Sequence, residues 1–166
     1  MGDPNSIEGA IASSRALAQQ AEARLLVLER GGLPLGFNSR EDYAAFGRSA
    51  RTALNEAGFP EAEPYIRGSA VTGFSYSTGN AFDVGRRSDY DIAIVSPRLF
   101  EVMRQSGVRL RSGGGRTEQF NWENAPSPKL AEWLRSVETQ YGREASIMIY
   151  RSQRDLELRR PYLPID

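Results

Sequence analysis

A chain of 166 residues is long enough to bury a core as one domain, and its 21 basic and 21 acidic residues cancel, so total charge gives no argument for attraction to nucleic acid or membrane. It contains no cysteine and no histidine. That excludes a thiolate nucleophile, a Ser-His-Asp triad, an ordinary zinc site and a histidine acid or base, leaving carboxylates, hydroxyls, arginines and hard metal ions for any chemistry.

Met1–Ser6, MGDPNS, reads as an initiator methionine and cloning scar, with 7–166 as a single domain. No signal peptide is visible and no apolar run reaches the length of a membrane span. From Ile7 to Arg30 the chain is rich in Ala, Leu, Gln and Glu, and Leu17, Ala21, Leu25 and Leu28 fall at helical spacing; this predicts a helix stopped by Gly31-Gly32. A second helix starts at the N-cap Ser39 and carries Tyr43, Phe46, Ala50 and Leu54 toward Gly58 as a core face. Pro60 and Pro64 then bracket an acidic connector.

Tyr65-Ile66-Arg67 reads as a short strand, Gly68 lets the backbone bend close to a ligand, and Ser69 opens a helical turn whose free N–H groups suit phosphate. The stretch from Phe74 to Arg87, rich in Ser, Thr, Gly and Asn, predicts a hairpin or loop beside the site. Asp89–Val95 follows as a strand. With period two, Asp89 and Asp91 share one face, continued by Ala93 and Val95, while Tyr90, Ile92 and Ile94 point into apolar packing. Two like charges opening an apolar strand raise each other's pKa unless a divalent cation neutralises them; the plainer alternative is a solvated strand end.

Pro97 opens a short helix to Gln105. Arg104, Arg109, Arg111 and Arg116 then surround a mobile triple glycine, Gly113-Gly114-Gly115, in thirteen residues without an acid. Such a segment suits a triphosphate or an RNA backbone, and equally a solvated surface loop. Phe120 and Trp122 are expected to pack that loop down rather than stack a base. Ser127-Pro128 starts a helix with Leu130, Trp133, Leu134 and Val137 on one face, ending near Gly142. Ala145–Tyr150 is a strand expected beside the aspartate strand, and Pro161 and Pro164 leave the tail extended. The expected architecture is α/β (α+β), a small mixed sheet of these three strands flanked by helices.

The combination of a strand, GSAVTG and then SDYDIAIV resembles the nucleotidyltransferase superfamily named after DNA polymerase β; FDVGRRSDYDIAIVSP and the later IMIYRS look most like nucleotidyltransferase-type domains at the C-terminal ends of bacterial polymorphic toxins. The resemblance implies phosphate binding at Gly68 and Ser69 and Mg²⁺ or Mn²⁺ at Asp89 and Asp91; Arg109, Arg111 and Arg116 of the glycine segment are the arginines expected to assist with the phosphates. The family commonly has a third carboxylate on a later strand; here that position holds Ser146, and Glu144, two residues earlier on the same face, is the candidate, with Asp83 next. The implied reaction moves a nucleotidyl group from a nucleoside triphosphate to a hydroxyl, on the 3′ end of transfer RNA or on a protein side chain. Toxin status implies a cognate immunity protein and a secreted effector acting in the target-cell cytoplasm; otherwise the chain is cytoplasmic. The rival readings are pyrophosphate transfer as in alarmone synthetases, ADP-ribosyl transfer on the strength of Arg67 and Ser75-Tyr76-Ser77-Thr78, and a non-catalytic binding domain.

Overall fold

In the computed structural model, which describes residues 7–75 and 78–165, several helices begin where the sequence supplies a capping hydroxyl. Ser39 Oγ accepts from Asp42 N (3.1 Å) at the start of α2, Arg40–Glu56. Ser96 Oγ accepts from Leu99 N (3.0 Å) before α4, Pro97–Gln105, and Ser127 Oγ from Leu130 N (3.4 Å) before α5, Pro128–Tyr141. Each cap satisfies an N–H that the helix itself cannot, worth about 1 kcal/mol. The other helices are α1, Ile7–Glu29, the single turn α3, Ser69–Thr72, and α6, Gln153–Glu157. Met1–Ser6, and Tyr76 and Ser77 of the suggested ADP-ribosyltransferase element, lie outside the described residues.

Four strands form one mixed sheet in the order β3-β2-β1-β4: β1 is Glu63–Arg67, β2 Tyr90–Val95, β3 Ala145–Tyr150 and β4 Leu163–Pro164. β1 runs antiparallel to β2 and β4, and β2 runs parallel to β3. Outside β3, residues 115–120 line the sheet edge through bridges Arg116↔Tyr150 and Phe120↔Ile147, so that edge is covered.

The alternation read from the sequence sorts the two faces. Ile66, Tyr90, Ile92, Ile94, Ile147 and Ile149 pack under Phe46 and Leu54 of α2, Leu99 of α4 and Leu130 and Leu134 of α5. Fully burying a side chain of this size contributes about 2 kcal/mol. On the other face Ala93, Val95, Met148 and Tyr150 make a smaller cluster with Leu156 of α6. Phe120 is buried in the main core and Trp122 packs on it, so both hold the segment down as expected.

Some elements differ from the sequence reading. Pro64 lies inside β1 opposite Ile94, and its carbonyl accepts from Ile165 N at 3.2 Å. The extended tail pairs with β1 as a fourth strand, and α6, capped by Ser152, forms where the sequence reading places no element. In α1 the spaced leucines Leu17, Leu25 and Leu28 are exposed, while Val27 is buried.

Candidate functional site

Strand register places Arg67 of β1, Asp91 of β2 and Ser146 of β3 side by side in one row across the sheet. Asp91 faces the side away from the main core, and its Oδ1 accepts from Gln119 Nε2 (3.1 Å) and Ser146 Oγ (3.4 Å). Gln119 Nε2 also donates to Ser146 Oγ, so one amide ties the covering segment to two strands. Its role was invisible in the sequence, where a lone Gln in a polar loop carries no signal. Gly68 closes the other side of the carboxylate. Its φ of 72° and ψ of −151° belong to glycine, and a Cβ there would collide with Asp91 Oδ2.

Among the described residues, none forms an ion pair with Asp91. Arg67 donates instead to Tyr150 Oη (2.8 Å) and Arg159 O (3.1 Å). Burial first, and the Asp89 carboxylate second, push Asp91 above its ordinary pKa, against the pull of Arg67, Ser146 and Gln119. Asp89, immediately before β2, is likewise raised by burial and by Glu144. The Asp89 carboxylate thus raises Asp91, as the sequence leads one to expect, whereas the rise at Asp89 itself comes from burial and from Glu144.

Glu144 is exposed and borders a cleft with Asp89 and Ser146, so it neighbours Asp89 but sits outside the Asp91 row, where Ser146 stands. Among the described residues, no three acidic side chains gather into a metal-holding group. Two half-buried carboxylates on one face, neither in an ion pair among the described residues, nevertheless fit a hard divalent cation with water and phosphate completing its shell. Asp83 is employed elsewhere. Arg143 grips it with two bonds, 2.6 Å to Oδ1 and 2.8 Å to Oδ2, and Ser88 N donates to Oδ1 at 2.9 Å.

The arginine segment divides. Arg104 pairs with Glu101 one turn earlier in α4, an acid just outside the acid-free window. Arg109 is exposed and does not border the clefts at Asp89 and Asp91. Arg111 does, and so does Arg116. The triple glycine is the tip of an anchored hairpin: Arg111 N donates to Arg116 O (3.0 Å), and Arg151 N to Gly115 O (2.9 Å). Gly115 has no room for a side chain, because a Cβ would strike Asp155.

Gly68, Ser69, Asp89, Asp91 and Arg111 meet in a cleft of about 470 Å³, whose far wall is the predicted loop, with Ser75, Thr78 and Ser88. The loop is a hairpin closed by the Phe74↔Ala81 bridge. Thus the structure brings together Gly68, Ser69, Asp89, Asp91, Arg111 and Arg116, and leaves Arg109 apart. Comparison with protein-family models, with curated proteins and with solved structures returned no match.

Proposed function

We propose that this chain is a metal-dependent nucleotidyltransferase acting on a nucleoside triphosphate and a hydroxyl acceptor. The observation that carries the reading is the pairing of two unneutralised, half-buried carboxylates, Asp89 and Asp91, with a glycine turn pressed against one of them. Asp89 and Asp91 would hold Mg²⁺ or Mn²⁺, which when bound supplies charge neutralisation for phosphate oxygens and lowers the pKa of a coordinated hydroxyl. Gly68 offers backbone without a side chain where phosphate must approach, and Ser69 adds a hydroxyl. Ser146 and Gln119 hold Asp91 in one orientation. Arg111, which borders the same cleft, offers a guanidinium to phosphate oxygens. In the transfer, the acceptor oxygen bonds to the α-phosphorus, the bond from that phosphorus to the bridging oxygen breaks, pyrophosphate leaves, and the hydroxyl proton passes to water. Action as a toxin domain with an immunity partner belongs to the same proposal and rests on the motif wording.

The test is incubation with each α-labelled nucleoside triphosphate, Mg²⁺ and cell extract. Label is expected to move to a macromolecule, and Asp89→Asn and Asp91→Asn are each expected to lose at least about 10²-fold in rate, the scale of removing one charge-stabilising group. Glu144→Gln separates two carboxylates from three: a change within about tenfold is expected of an exposed neighbour that only tunes Asp89, and a loss equal to that of the aspartate variants would make Glu144 a ligand. Movement of β-label and γ-label together to the acceptor, with the α-label left on a nucleoside monophosphate, would replace the reading with pyrophosphate transfer.

A further inference from the structure

A second cleft, of about 250 Å³, shares Gly68, Asp91, Arg111 and Gln119 with the hydroxyl-lined one but is walled by different chemistry. Arg67 from the end of β1, Arg111 and Arg116 from the glycine hairpin and Arg160 from the segment after α6 converge on it, against the single carboxylate of Asp91. Among the described residues, Arg67 donates to a phenol and a carbonyl, and Arg160 is paired with Glu157. Arg111 and Arg116 have no ion pair among the described residues. The Nε of Arg67 and the Nε of Arg116 are buried with no hydrogen-bond partner among the described residues.

Guanidiniums drawn from three distant parts of the chain into one concavity repel each other, and a buried unpartnered N–H adds to that cost. An anion offering several oxygens relieves both, and phosphate fits the planar fork of arginine. Scattered arginines on a solvated face would show neither the convergence nor the buried Nε atoms. We propose that this cleft is a phosphate-binding acceptor subsite that works without metal, holding a phosphate that adjoins the acceptor's attacking hydroxyl. The acceptor is therefore phosphate-bearing, as a nucleotide is and an unmodified protein side chain is not. The word acceptor rests on the nucleotidyl-transfer reading; the phosphate site does not.

The experiment is calorimetric titration of the protein in EDTA with a nucleoside 5′-monophosphate, the matching nucleoside and inorganic phosphate, on wild type, Arg111→Gln and Arg116→Gln. Arg111 is exposed, so its substitution leaves folding intact even if that of Arg116 does not. The monophosphate is expected to bind wild type, the nucleoside not to, and each substitution to weaken binding about tenfold, the scale of one charge-assisted hydrogen bond. Monophosphate affinity that is equal in all three proteins, or absent from wild type, would overturn the site. Inorganic phosphate binding as tightly as the monophosphate would make it a free-phosphate site and overturn the acceptor assignment. Nucleotidyl transfer, assayed separately with Mg²⁺, distinguishes the two claims: its absence with arginine-dependent binding intact sinks the functional reading alone.

Discussion

Asp91 is held by an amide, a hydroxyl and a bare glycine, groups that orient a carboxylate without cancelling its charge. Because its folded-state pKa is raised, the folded protein keeps a proton that the unfolded chain has already released, and stability falls as pH climbs through that window. Above the window the metal-free protein carries the whole cost of the buried charge. Asp91→Asn is therefore expected to melt higher than wild type in EDTA near neutral pH, with the advantage disappearing below the ordinary carboxylate range; thermal unfolding at both pH values decides it. Gly68→Ala acts in the opposite direction. It places a Cβ against Asp91 in a backbone conformation that costs about 1–3 kcal/mol for other residues, so a loss of at least that size is expected in denaturant unfolding.

Among the elements, the hairpin that walls the larger cleft depends on a clamp far from it in sequence. Arg143, in the turn between α5 and β3, is buried, grips Asp83 and lies over the Phe82 ring at 4.7 Å. The pairing lowers the Asp83 pKa, first through the Arg143 hydrogen bonds, so this stabilisation is present above the ordinary carboxylate value and is lost as pH falls through the folded one. Arg143→Gln is expected to cost about 2 kcal/mol, below a fully buried pair because Asp83 is partly exposed. Hydrogen exchange should then show faster exchange across 78–88 with β2 and β3 unchanged; uniform loss of protection would refute a local clamp.

At the scale of the whole molecule, the repulsion between Asp89 and Asp91 couples folding stability to cation binding. A ligand that binds only the folded state stabilises it by about 2.7 kcal/mol at a hundredfold excess over Kd. Mg²⁺ or Mn²⁺ is therefore expected to raise the melting temperature of wild type in a concentration-dependent way, and Asp89→Asn to abolish the rise. A rise of equal size in Asp89→Asn would place the ion elsewhere.

The sequence by itself determined what short-range physics encodes. The caps at Ser39, Ser96 and Ser127 act within three residues, the split of β2 into a core face and an aspartate face follows from period two, and the absence of histidine and cysteine restricts the chemistry before any fold is known. Gly68 was legible as a close approach, though not what it approaches. Tertiary structure alone decided the row Arg67–Asp91–Ser146, because strand register is set by packing between segments dozens of residues apart. It also selected Arg111 and Arg116 over Arg104 and Arg109, recruited Gln119, Arg67 and Arg160, and engaged Asp83 with Arg143. A charged side chain finds its partner through space, and in the linear sequence every arginine of that segment carries the same charge; only the fold distinguishes those that share a cleft from those that meet an acid or water.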